Sequence, residues 1–201
     1  MLKRRPKSQP TRTDVKAKLA DFDRAGLLGL NHSLCSADKD NQTFLHTRFA
    51  LGEDVLEPYK KTIDRWLLPD VLRNQGISVS QAKRVISDYK KAVGDPEGLV
   101  ELLVFYCEQG AGFCSDFGNE DEAYFGALVR MFEEALKIAN TLSVARRDEL
   151  VARLDRVRDI SHDFGYGVGD DMDFLLSEYP WREANGPRAT GPPTFFITKH
   201  L

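Results

Sequence analysis

Apolar residues recur at helical spacing along most of this chain, and this periodicity limits its possible folds more strongly than any other feature. Behind Ser78, the apolar positions are Ala82, Val85, Ile86, Tyr89 and Val93. These positions lie on one face of a helix. Similar stripes run through residues 99–113, 125–139 and 150–160. No run of four or more residues alternates between apolar and polar with enrichment in β-branched side chains, so the sequence predicts an all-α fold.

Short polar signals mark where several of these helices begin. Ser78 followed by Gln81 has the form of a capping box, in which each side chain would satisfy a free backbone amide. Asn119 is the predicted start of a later helix. Thr13 and Asp14 offer caps for the first helix.

The connections between the predicted helices are short, so we expect consecutive helices to run antiparallel. The predicted architecture is a set of antiparallel helical hairpins packed as a bundle or a short solenoid. No motif recurs at a fixed period, and we therefore predict no named helical repeat.

Composition divides the chain into three parts. Residues 1–12 contain Pro6 and Pro10 among mostly polar residues, which predicts a disordered basic arm. Residues 13–179 carry the helical stripes and form the predicted single all-α domain. Prolines and glycines then interrupt residues 180–201, which predicts a flexible Pro/Gly-rich tail.

Charge is distributed unevenly along the chain. Residues 1–18 hold seven basic residues and one acidic residue, whereas the whole chain has a net charge of −3. The acidic body argues against nucleic acid as the main partner. The candidate contacts for weak nucleic-acid binding are the arm residues Lys3, Arg4, Arg5, Lys7 and Arg12.

The three cysteines do not suit a disulfide framework, because their number is odd. Cys107 and Cys114 would lie roughly 10 Å apart along one helix, too far for a bond. No apolar run approaches the roughly 20 residues that cross a bilayer. The charged N-terminus lacks the apolar segment of a signal peptide. These features predict a cytoplasmic protein with no membrane partner.

The segment from residue 162 to residue 173 is the strongest candidate for chemistry. In its structural interpretation, Gly165, Gly167 and Gly169 allow the chain to reverse. Two aspartates then begin the last helix, where carboxylates complement the helix dipole. The candidate site residues of this segment are His162, Asp163, Tyr166, Asp170, Asp171 and Asp173.

A divalent cation is the ligand that such a segment could hold. One imidazole and three carboxylates would supply it, from His162, Asp163, Asp170 and Asp171. A helical metal-dependent hydrolase would need further histidines, and the chain has four in all. We favour the structural interpretation and expect no bound metal and no cofactor.

Three stretches of sequence together resemble a known pattern. They are ISVSQAKRVISDYKK at 77–91, LVELLVFYC at 99–107 and GYGVGDD at 165–171. Over residues 13–179 the chain is similar to a family of uncharacterised bacterial proteins known only as a domain of unknown function. The resemblance implies an all-helical bacterial protein and supplies no activity and no site residue.

No assembled catalytic set stands out in the sequence, and fold alone does not give function. We expect a protein-interaction or regulatory module whose partner is another protein. Two alternatives stay open: a metal-dependent hydrolase that uses residues 162–173, and a weak nucleic-acid binder that uses the basic arm.

Overall fold

The structure is a computed structural model that describes residues 10–52, 54–68 and 76–179. All of the regular elements in these ranges are α-helices, which confirms the prediction of an all-α fold. They are α1 (Arg12–Ala20), α2 (Arg24–Ala37), α3 (Lys39–Arg48), α4 (Glu57–Leu67), α5 (Val79–Ala92), α6 (Pro96–Phe117), α7 (Glu122–Ala139), α8 (Val144–Ser161) and α9 (Val168–Ser177). Of the disordered arm predicted at residues 1–12, residues 1–9 lie outside the described residues, and so does the predicted tail at 180–201.

Helix α6 is the centre of the packed core. Thirteen of its 22 residues are buried, because apolar and small side chains occur on nearly all of its sides. Helices α4, α5, α7 and α8 pack against it, and α9 packs against α7 and α8. No helix in the described ranges has the length and apolar character needed to cross a membrane.

Short links join helices that are in contact with each other. Residues 118–121 connect α6 to α7, residues 140–143 connect α7 to α8, and residues 162–167 connect α8 to α9. Such links leave consecutive helices antiparallel. The chain therefore folds as packed helical hairpins, as the sequence predicts.

Helix α5 begins where the sequence predicts and helix α7 does not. The Ser78 hydroxyl accepts a hydrogen bond from the Gln81 amide at the start of α5. The other half of the predicted capping box does not form, because the Ser78 amide donates to the Trp66 carbonyl instead. The N-cap of α7 is Asp121, whose carboxylate accepts hydrogen bonds from two backbone amides of the first turn. Asn119 instead accepts a hydrogen bond from the Asp121 amide. The prediction of Asn119 as the cap was wrong because Asp121 offers the same chemistry two residues later.

Helix α1 begins at Arg12, one residue before the predicted start of the domain. Its N-cap is Thr11, whose hydroxyl accepts a hydrogen bond from the Asp14 amide. The Asp14 carboxylate in turn accepts one from the Thr11 amide at 2.7 Å. This reciprocal pair is a capping box, and it takes the role that the sequence analysis assigns to Thr13.

Glu101 of α6 is a carboxylate in the core, with 8% of its surface exposed. It accepts hydrogen bonds from Lys60 of α4 at 2.8 Å and from Arg146 and Arg153 of α8 at 2.9 and 2.7 Å. Arg153 also donates to both oxygens of Glu108. We call these five residues the ion cluster. A buried charge is costly unless it is paired, so the cluster fixes α4 and α8 against α6.

The ion cluster also determines how Glu101 ionises. Burial alone would raise the pKa of this carboxyl group. Hydrogen bonds and charges from Arg153 and Lys60 outweigh burial and hold the pKa below its ordinary value. The paired carboxylate therefore stabilises the fold at neutral pH, and this contribution is lost as the pH falls through the lowered pKa.

We expect Glu101→Gln to lower the free energy of unfolding by roughly 3 kcal/mol at neutral pH, because three cations then face an uncharged side chain. Chemical denaturation measures this loss. Glu149→Gln is the matched control, since Glu149 also pairs with Arg146 but is more than half exposed. Its loss should stay below about 1 kcal/mol.

Acidification provides the second half of this test. Below the lowered pKa, Glu101 is protonated in the wild type too, so the gap between wild type and Glu101→Gln should narrow. A gap of the same size at neutral and acidic pH would contradict the role assigned to the charge of Glu101.

Candidate functional site

The turn between α8 and α9 brings together three of the six predicted site residues. His162 is the C-cap of α8, and Asp170 and Asp173 lie on the first turns of α9. The imidazole Nε2 lies 3.2 Å from Asp173 Oδ2, and Nδ1 lies 3.9 Å from Asp170 Oδ1. One ligand atom from each residue lies within 4.8 Å of the others, which is close enough to hold one metal ion.

Arg158 weakens the case for a cation in this cluster. Its buried guanidinium donates to Asp173 Oδ1 at 2.9 Å and pairs with two further aspartates of α8. A fixed positive charge beside a ligand carboxylate repels a metal ion. The Asp170 side chain is 86% exposed. The arrangement therefore suits an ion-paired helix contact, in which Asp173 lies between Arg158 and His162.

The other three predicted residues lie in different surroundings. Asp163 is exposed in the turn and does not belong to the cluster of three. Tyr166 and Asp171 line an open groove of about 670 Å³ between α7 and the start of α9. The Tyr166 hydroxyl donates a hydrogen bond to the Glu120 carbonyl at 3.3 Å. Successive helix residues differ by about 100° in direction, which separates Asp171 from its neighbour Asp170.

The three glycines of this turn do not share one role. Gly167 has a φ of +69°, and the neighbouring Tyr166 also adopts a positive φ of 62°. Gly169 lies within α9, where a Cβ would come 2.5 Å from His162 Nδ1 and 2.8 Å from its Cα. Backbone freedom thus explains Gly167, whereas close packing of α9 on His162 explains Gly169. The prediction that all three allow the reversal was correct for Gly167 alone.

Neither core cysteine is a candidate nucleophile. Cys107 and Cys114 both lie on α6, as predicted, and both are buried and unpaired. Burial raises the pKa of the Cys107 thiol, and it raises the pKa of the Cys114 thiol to about 11. Both thiols therefore stay protonated at neutral pH and are weak nucleophiles.

Of the predicted nucleic-acid contacts, Arg12 alone falls within the described ranges. It is the first residue of α1 and is exposed to solvent. The other four, at positions 3, 4, 5 and 7, lie outside the described residues.

Helices α1–α3 expose apolar side chains that the rest of the fold does not cover. α1 and α2 bury none of their residues, and α3 buries only Thr47. Of the 13 exposed large apolar side chains in the described part of the chain, eight lie between residues 15 and 51. We call these eight the apolar patch: Val15, Phe22, Leu27, Leu28, Leu34, Phe44, Phe49 and Leu51, each 41–65% exposed.

The apolar patch was not predicted from the sequence, because leucines at helical spacing are typical of a core face. A further signal is present in α2, whose sequence is RAGLLGLNHSLCSA. Its only charged residue is Arg24. A solvent-facing helix usually has a charged side, so an exposed helix with a single charged residue is typical of a contact surface.

A scan against protein-family models and searches of the curated proteins and of the solved structures found no match to this chain. The resemblance over residues 13–179 stays a prediction.

We expect Mg²⁺, Mn²⁺ and Zn²⁺ to leave the melting temperature unchanged relative to chelator, because Arg158 holds Asp173 in an ion pair. Asp170→Asn should change the stability of the protein by only a few tenths of a kcal/mol, since its charge acts mainly on the helix dipole. Thermal melts of both proteins measure this. A rise in the wild-type melting temperature with one cation, absent in Asp170→Asn, would instead favour the hydrolase alternative.

Proposed function

We propose that this protein is an interaction module that binds another protein chain through the apolar patch. The observation that carries the proposal is the concentration of exposed apolar side chains on α1–α3 and in the short segments that adjoin these helices. Single exposed apolar residues are common on monomers, but clusters of them mark contact surfaces.

The energy available from the apolar patch suits reversible binding. Full burial of a leucine or phenylalanine is worth about 1.5–3 kcal/mol, and each patch residue is about half exposed, so covering one gains roughly 1 kcal/mol. Several such gains are needed to offset the loss of translational and rotational freedom on association. The partner must therefore cover more than one helix turn with an apolar surface of its own.

The apolar patch is connected to the packed core through α3. Helix α3 contacts α5, and Arg48 Nη1 donates a hydrogen bond to the Ala92 carbonyl at 3.2 Å. Helix α2 in turn packs on α3. The core thus supports the patch without covering it, which is the arrangement that a docking surface needs.

The two alternative functions have less support. The hydrolase would require Asp173 to serve as a ligand while it is paired with Arg158. The nucleic-acid binder rests on arm residues of which the structure describes only Arg12. We place the interaction in a reducing cytoplasm, because the three cysteines are unpaired.

We expect a photo-crosslinking amino acid at position 28 to form a covalent adduct with a protein chain in the native cell. The same amino acid at position 174 is the matched control, because Phe174 and Leu28 are 63% and 59% exposed but Phe174 lies outside the apolar patch. Denaturing electrophoresis followed by mass spectrometry identifies the adduct. Absence of an adduct at position 28, or equal adducts at both positions, would contradict the proposal.

A further inference from the structure

We infer that the chain bound at the apolar patch is a second copy of this protein, with the two α2 helices packed antiparallel about a two-fold axis beside Asn31. This inference rests on the proposed function, since it names the partner for the same surface. It follows from how apolar and charged residues are distributed along α2 and its two ends.

The apolar residues of α2 are arranged symmetrically about position 31. In an antiparallel pair with its axis there, Leu28 faces Leu34 of the other copy, and Leu27 faces Cys35. The three leucines of these pairs belong to the apolar patch, and Cys35 is half-buried beside them. The same surface of each copy therefore meets itself, as a two-fold interface requires.

Charges at the two ends of α2 follow the same symmetry. Arg24, the first residue of α2, lies opposite Asp38, the C-cap of α2 in the other copy. Each antiparallel dimer thus contains two pairs of opposite charge. A parallel pair would place each of these residues against its own copy, with like charges together. Opposite charges select the antiparallel orientation, because like charges in contact disfavour the alternative.

Arg24 is free to make this pair. Within the described ranges, its side chain forms no hydrogen bond and no ion pair in the single chain. Asp38 uses one oxygen to cap α3, through the Asp40 amide. Its second oxygen can accept from Arg24 of the other copy.

The size of the contact sets its strength. Helix α2 has 14 residues and is therefore about 21 Å long. A standard stable interface buries about 800 Å² on each partner, more than a single helix of this length supplies. A reversible dimer of micromolar affinity is the expected result.

Sedimentation equilibrium of the purified full chain across a micromolar concentration range measures this dimer. We expect the wild type to change from monomer to dimer over that range, and Leu28→Asp to weaken dimerisation by about tenfold or more. Val144→Asp is the matched control, because Val144 is 62% exposed on α8 and lies outside the apolar patch. It should dimerise like the wild type. A circular-dichroism spectrum of each variant checks that it is folded.

Disulfide formation tests the register. In the predicted pair, a cysteine introduced by Leu27→Cys faces Cys35 of the other copy. Within one helix, positions 27 and 35 are about 12 Å apart, and in the predicted pair the two copies of Cys35 are also about 12 Å apart. A disulfide needs Cα atoms within roughly 7 Å, so neither of these pairs can form one. Mild oxidation should therefore link Leu27→Cys into covalent dimers, but neither the wild type nor Leu27→Cys combined with Cys35→Ser.

Each result supports or overturns the inference. A wild type that stays monomeric, a dimer that Leu28→Asp leaves intact, or covalent wild-type dimers through Cys35 would overturn it. If the wild type is monomeric while position 28 forms an adduct with a different protein in cells, the second copy is wrong and the proposed function stands. If no adduct forms there either, both are wrong.

Discussion

One buried carboxylate connects the helices on which the rest of the structure depends. Glu101 lies on the central helix α6, and cations from α4 and α8 reach it from two directions. Such a group stabilises a fold only when every partner is present, because an unpaired charge in the core is costly. The ion cluster therefore makes the positions of α4, α6 and α8 interdependent. Arg158 has a related role beyond it, since it joins α8 to α9 through Asp173.

The helices that carry the apolar patch stand outside this system. Within the described residues, no ion pair connects α1–α3 to the helices of the core, and their main contact with the core is that of α3 with α5. The core can therefore be stable while α2 leaves its leucines exposed. A segment with few buried contacts gains the most from a partner, because each covered side chain adds directly to the stability of that segment. The core helices therefore support α1–α3, and the apolar patch on that segment stays available for binding.

The all-α fold could be predicted from sequence because the apolar stripe and the cap of a helix both lie within its own segment of the chain. The stripe behind Ser78 and the cap itself both have a local cause, and the structure agrees with both. Local patterns could not decide between Asn119 and Asp121, since both are good caps two residues apart.

Local patterns also could not separate Asp170 from Asp171, which adjoin in sequence but lie in different surroundings. The ion pair of Arg158 with Asp173 depends on how α8 and α9 pack, which no local pattern records. The apolar patch was missed for a similar reason, because α2 resembles a core helix until the structure places it at the surface.

Hydrogen exchange of the α2 amides at several protein concentrations tests the central claim most directly. If a second copy covers α2, its amides should exchange more slowly as the concentration rises, while those of α6 stay equally protected throughout. Fast exchange of α2 that does not change with concentration would show that the surface stays open. Protection of α2 that is already complete in the dilute monomer would show that the chain covers it by itself. Either result would contradict the account.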